Sequence, residues 1–212
     1  IMGKALNKPV YKLLGGKVRD TISVAYCLGL LGIEETKEKI QQIKSQGFQT
    51  VKTKAGRDLN FDVQRTKAIR EAGGPDFEIR VDMNQGYDII QALRYIKQIE
   101  KFDLQYIEQP IRINDFDNLK RLRLSTNTPI GINEDCCLAY NLFRAIKEGC
   151  IDVGIIDYEQ LGGISELARL ANIAEEANIP LVHHCNFDLG VKLATILHVT
   201  STLPSFRYAM DS

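Results

Sequence analysis

The chain carries no net charge, because 27 lysines and arginines balance 27 aspartates and glutamates across 212 residues. It also has no block of like charges. Nothing draws it as a whole toward a phosphate backbone or anionic lipid, so neither nucleic acid nor membrane is an expected partner. It has no run of eighteen apolar residues that could cross a bilayer. The opening residues, IMGKALNKPVYKLL, lack the basic, apolar, small-residue order of a secretory signal, and the expected compartment is the cytoplasm. No Cys-x-x-Cys pair occurs among Cys27, Cys136, Cys137, Cys150 and Cys185. That argues against a disulfide framework and a thiolate zinc site, and predicts reduced, mostly buried thiols. With no Gly-x-Gly-x-x-Gly and no phosphate loop, no nucleotide cofactor is implied.

What is present is the balance of a globular protein, 44% hydrophobic and 25% charged, long enough to bury a core without staples. From residue 21 onward one pattern repeats: a β-branched run, a polar turn, an amphipathic helix. Strands are predicted at 21–27, 50–56, 78–84, 105–110, 129–134, 152–158 and 180–185, with a possible eighth at RYAM. Between them, Ile89, Ala92, Leu93, Ile96 and Ile99 share one helical face, as do Leu167, Leu170, Ala171 and Ala174. Consecutive strand starts lie 23 to 29 residues apart, the length of one strand-helix unit. Each strand then pairs in parallel with the next, in a doubly wound open sheet or a closed (β/α)₈ TIM-type barrel. Residues 1–20 read as a helix and loop leading into a catalytic barrel domain at 21–212. Because the chain starts inside a helix and nothing covers an eighth strand, it reads as a partial barrel, unfinished at both ends.

Parallel strands buried on both faces should be nearly continuous Val, Ile and Leu. Here ionisable and amide groups recur at strand C-terminal ends: Lys52 and Lys54, Asp82 and Asn84, Glu108, Asn133 and Glu134, Asp157, His183 and His184. A barrel brings all of these to one rim, whereas an open sheet would spread them along an edge. The barrel is therefore preferred. Asp82, Glu108 and Glu134 are spaced by 26 residues each time, one acid at the same point of three successive strands. Three packed acids repel unless a cation sits among them, and an all-oxygen set without thiolate or imidazole suits Mg²⁺, with Mn²⁺ second. The alternative is ordinary pairing of each acid with a nearby Lys or Arg.

Lys52 and Lys54, two apart on a strand, point to the same side. A lysine beside another ammonium and near a metal is pushed toward the range where it accepts a proton, which makes Lys54 a candidate base. The alternative is that both lysines simply neutralise neighbouring acids. Of the adjacent His183 and His184 only one can face inward. Asp157, ending the preceding strand, is placed to orient an imidazole and raise its basicity. Gly162-Gly163 is a weak signal for a tight turn, and His198 reads as an ordinary helical residue.

A divalent ion, a lysine on one side and a His-Asp pair on the other suit removal of a proton next to a carboxylate, a very weak acid whose ene-diolate needs charge stabilisation. In order along the chain stand KTK, DMN, EQP, the Pro-Ile-x-x-Asn-Glu segment, DYEQLGG and HHC. In that order they resemble the mandelate racemase/muconate lactonizing enzyme family of the enolase superfamily, its mandelate racemase-like subgroup in particular. The opening GKALNKPVYKLLGGKVRD is similar to the stretch leading into that family's barrel.

The resemblance implies that Asp82, Glu108 and Glu134 bind Mg²⁺, that Lys54 and the His184-Asp157 pair act on opposite faces of a small carboxylate substrate, and that the full-length protein is a homo-oligomer. It places Asp211 where mandelate racemase has a glutamate that hydrogen-bonds the substrate carboxylate. Asn133 is an alternative third ligand, since an Asn at this point ligates in glucarate dehydratase-like members. The capping domain of the family is not in the sequence. The reading is a Mg²⁺-dependent racemase or epimerase of a hydroxy acid or related carboxylate. The alternatives are an acid-sugar dehydratase with His184 as general acid, and a non-catalytic metal- or partner-binding barrel fragment.

Overall fold

The computed structural model describes residues 1–186 and 188–211. Two short helices, α1 (Met2–Leu6) and α2 (Val10–Leu13), precede the sheet. Eight strands follow: β1 (Val24–Cys27), β2 (Thr50–Lys54), β3 (Glu78–Asp82), β4 (Tyr106–Glu108), β5 (Ile130–Ile132), β6 (Val153–Ile156), β7 (Leu181–His183) and β8 (Met210–Asp211). All are parallel, in the order β7-β6-β5-β4-β3-β2-β1-β8. Where β7 and β8 approach, Leu181 bridges Phe206 and donates its N–H to Ser205 O at 2.7 Å. The sheet therefore wraps into a nearly closed barrel, and the open-sheet alternative falls away.

The helices α3 (Ile33–Ser45), α4 (Leu59–Gly73), α5 (Ile89–Ile99), α6 (Phe116–Arg123), α7 (Ala139–Glu148), α8 (Ile164–Glu176) and α9 (Val191–Thr200) alternate with the strands. Their starts are written locally. Asp58 caps α4 through Phe61 N (2.9 Å), and Asp88 caps α5 through Ile90 N and Gln91 N while Gln91 answers in a capping box. The predicted α8 face, Leu167, Leu170, Ala171 and Ala174, is buried against the barrel, and α5 buries Ala92, Ile96 and Ile99 with Tyr95 added.

Two features depart from the sequence reading. The eighth strand is Met210–Asp211 rather than RYAM, because Val24 pairs with Met210 and Ala25 with Asp211. This leaves Tyr208 packed with Tyr106, Val153, Ile155 and Val182 inside the barrel. The interior is also not uniformly aliphatic. Arg80, fully buried in mid-strand, stacks on Tyr106 and donates to Gln105 Oε1 (2.6 Å), Ala209 O (2.8 Å) and Asp211 Oδ1 (3.2 Å). An inward arginine survives there because Nε and Nη1 find acceptors and the guanidinium lies over an aromatic face, while Nη2 has no hydrogen-bond partner among the described residues. Cys136 and Cys150 are buried, their thiols donating to Ile132 O and Phe116 O.

The loops after β2 and β3 touch backbone to backbone. A Cβ on Gly86 would meet Gly56 O at 2.4 Å and Gly56 Cα at 2.7 Å. Gly86→Ala is expected to destabilise the protein by about 1–3 kcal/mol in urea denaturation, since neither backbone can yield without moving a rim loop. An unchanged midpoint would mean the loops are not held against each other.

Candidate active site

Each strand hands its last inward residue to the mouth of the barrel, and several chains then break into left-handed turns. Asn84 (φ 40°), Gln85 (φ 64°) and Gln109 (φ 39°) all lie just beyond β3 and β4 in a conformation that non-glycine residues rarely adopt. Strain of this kind persists only where surrounding contacts enforce it, and it clusters at functional sites. It also ends the strands sooner than the sequence pattern suggests.

The inward lysines and acids form one network. Lys52 Nζ lies 2.7 Å from Glu108 Oε1, 2.8 Å from Asp211 Oδ2 and 3.4 Å from Asp82 Oδ2. Lys54 Nζ donates to the same Asp82 oxygen at 2.7 Å and to Asn84 Oδ1 at 2.6 Å. Asn84 also joins two acids, its N–H on Asp82 Oδ1 (3.0 Å) and its amide nitrogen on Glu134 Oε1 (3.2 Å), which Gln85 Nε2 reaches as well. Glu108, Asp82 and Glu134 are thus linked through Lys52 and Asn84. Asp211 lies beneath them, fully buried, between Lys52 and Arg80.

Burial opposes charge throughout this network, and the partners decide the outcome. Burial disfavours the Lys52 ammonium, yet Asp211, Glu108 and Asp82 outweigh it and hold the lysine well above its usual range. Burial pushes the Glu108 carboxyl well up, against the opposition of Lys52, and the neighbouring charges of Asp82 and Asp211 add to the rise. Burial also acts against Asp82, but the two lysines prevail and lower it.

Across the mouth, His184 turns inward and His183 outward. His183 stacks on Phe206, its Nδ1 lies 2.7 Å from His184 O, and burial lowers its basicity. His184 Nδ1 faces Asp157 Oδ2 at 3.7 Å, an electrostatic contact longer than a hydrogen bond. Burial resists ionisation of Asp157, but His184, Lys192 and the Glu159 N–H hold it well below the usual carboxylate range. Lys192, on α9, escaped the sequence reading because nothing in a helical segment marks it. So did Arg80 and Gln85, whose roles depend on which strands become neighbours.

Behind Lys54 lies a buried support. Asp62 Oδ2 accepts from Gly56 N (2.8 Å), Arg57 N (3.2 Å) and Tyr87 Oη (2.7 Å), and Asp62 Oδ1 from Arg65 (2.9 Å). Arg65 in turn donates to the Lys54 carbonyl. One carboxylate on α4 therefore ties together the loops that carry Lys54 and Asn84.

A sequence model of the family described as "Enolase C-terminal domain-like" matches residues 35–212. The chain belongs to that family. Among its curated relatives, arabinonate dehydratase of Saccharolobus solfataricus is 33% identical over 97% of the chain and 56% of its own length. An N-succinyl-L-Arg/Lys racemase of Bacillus cereus is 34% identical over 84% of the chain and 49% of its own length. The solved structure of N-succinyl Arg/Lys racemase from Bacillus cereus superposes with a TM-score of 0.94 at 30% identity, covering 99% of the chain and 57% of that protein. Dipeptide epimerase from Cytophaga hutchinsonii, complexed with Mg and dipeptide D-Ala-L-Val, superposes with a TM-score of 0.91 at 26% identity, covering 96% and 55%. The chain spans about half the length of these relatives. Those findings place it among mandelate racemase/muconate lactonizing enzyme-like barrels of the enolase superfamily.

Among the described residues no three His, Cys, Asp or Glu side chains are grouped closely enough to hold a metal, because the lysine ammoniums and Asn84 stand between the acids. The donor chemistry nevertheless fits a hard divalent cation. Glu108 Oε2 and Glu134 Oε2 are inaccessible to solvent and have no hydrogen-bond partner among the described residues. Orphaned buried carboxylate oxygens are costly unless something positive satisfies them. No helix of the described residues is long and apolar enough to cross a membrane.

Proposed function

We propose that the protein carrying this chain removes the proton α to a carboxylate and returns it on the other face, racemising or epimerising a hydroxy acid or related small carboxylate. The observation that carries the reading is the placement of Lys54 on β2 and His184 after β7. They lie on opposite flanks of a mouth whose acids come from β3, β4 and the turn after β5. Two proton carriers approaching one carbon from opposite sides are what inversion requires. Lys54, the more exposed of the two lysines, takes or gives the proton on one face. His184, backed by Asp157, serves the other.

Asp82, Glu108 and Glu134 would hold Mg²⁺, or Mn²⁺. Glu134 is preferred to Asn133 because it carries a negative charge and its buried Oε2 lacks a partner among the described residues. A divalent cation there supplies positive charge to the substrate carboxylate as the proton leaves. Lys52 adds charge from below, and Asp211 with Arg80 keeps its ammonium pointed at that spot. We read the protein as cytoplasmic, with its buried thiols reduced, and as a homo-oligomer.

A second reading is favoured by arabinonate dehydratase, similar over nearly the whole chain. In it Lys54 removes the proton and His184 gives one to a departing β-hydroxyl. The full-length enzyme should be incubated in D₂O with Mg²⁺ against N-acylamino acids, dipeptides, hydroxy acids and acid sugars. Inverted product carrying deuterium at the α carbon supports racemisation, and a 2-keto acid supports dehydration. No α-exchange with any of them sinks both readings and leaves a non-catalytic barrel. Independently, Mg²⁺ at about a hundredfold excess over its Kd should stabilise the protein by about 2.7 kcal/mol, an effect lost in Glu134→Gln. A melting temperature indifferent to Mg²⁺ would remove the metal from the proposal.

A further inference from the structure

His184 and Lys192 compete for one oxygen atom. Asp157 Oδ2 faces the imidazole Nδ1 at 3.7 Å and the Lys192 ammonium at 2.9 Å. Lys192 stands in the first turn of α9, its side chain only 11% exposed, and is held as well by Glu159 Oε2 (2.9 Å) and Asp188 Oδ1 (3.1 Å). His184 Nδ1 is inaccessible to solvent and has no hydrogen-bond partner among the described residues. The nitrogen that a carboxylate should orient is thus left unbonded, while a lysine occupies the carboxylate.

We propose that Lys192 is a positioning residue that governs His184 through Asp157. With the ammonium on Oδ2, the carboxylate charge is shared. The imidazolium then gains less from it, and the ring is not pinned in one tautomer. Lys192 has two further anionic partners, so it can release Asp157 and remain paired to Glu159 and Asp188. Release lets the His184–Asp157 hydrogen bond close. The other groups around this point are the His183 ring on the opposite side of β7, the Cys137 thiol, and Glu134 beyond it. None of them contacts Asp157 Oδ2 as closely as Lys192 does. The idea takes His184 to be a proton carrier, as in the reading above, but its test needs no substrate, so the two can fail separately.

The chain has three histidines, few enough to follow each ring by NMR titration, with His184→Asn assigning the resonance. Lys192→Met should raise the His184 midpoint by about one pH unit and bring out a low-field Nδ1–H signal from the closed dyad. Lys192→Arg, which keeps the charge, should stay near the wild-type midpoint. In an Asp157→Asn background, Lys192→Met should lose more than half of its effect, because the coupling runs through the carboxylate. Equal shifts in both backgrounds would show that the lysine acts by charge alone and would overturn the proposal, as would an unmoved midpoint. If Lys192→Met does not fold, Lys192→Gln, which keeps polar contact with Glu159 and Asp188, carries the same comparison.

Discussion

Lys54→Ala should lower α-proton exchange by about 10³-fold in the full-length enzyme, and only for the enantiomer whose proton points at β2. His184→Asn should do the same for the other enantiomer. Each variant retains one carrier, so each still exchanges one hand of the substrate with solvent deuterium while racemisation falls by about 10³-fold in both. This mirror-image pattern depends on the two side chains reaching the mouth from β2 and β7. A general loss of folding cannot imitate it, because unfolding would suppress both hands equally. If either variant loses exchange of both enantiomers, or retains both, Lys54 and His184 do not act on opposite faces.

The second large effect is on stability. Lys52 is the cation shared by Glu108, Asp211 and Asp82 in a space almost closed to solvent. Lys52→Met fits the volume but leaves three buried carboxylates without it, and Arg80 and Lys54 neutralise them only in part. Breaking a buried charge set in this way costs about 3–5 kcal/mol.

The deficit should depend on pH. Glu108 is already pushed well up by burial in the wild type, and removing the lysine raises the folded-state values further. The folded variant therefore binds protons that the unfolded chain releases near about pH 4, and its stability falls as pH rises from there through the raised folded values. Urea denaturation should find the variant closest to wild type near about pH 5 and furthest from it near about pH 8. A constant gap would mean the carboxylates are not ionised around Lys52.

Much of this was legible in the order of residues alone. β-Branched runs and helical patterning marked seven strands, a possible eighth at RYAM and the helices between them, since a parallel strand buried on both faces must be apolar and a covering helix must have one apolar face. The same logic made Lys54, Asp82, Glu108, Glu134, Asp157 and His184 conspicuous, as ionisable groups where burial would otherwise exclude them. Strand alternation required that only one of His183 and His184 face inward, the family resemblance picked His184, and the fold places that ring beside Asp157.

What the chain's order could not settle were contacts between residues far apart along it. Arg80 reads as one charge in a strand, yet closure of the barrel brings it to Asp211, 131 positions away. Lys192 reads as a surface residue of a helix, and only the tertiary fold brings its ammonium to Asp157, 35 positions away. Asp211 looked like a rim group for substrate until the register of β8 against β1 put it under Lys52. Local pattern follows from backbone geometry and solvent, which act over a few residues. The charge on a buried group depends on every neighbour within several ångströms, and the closed sheet alone chooses those neighbours.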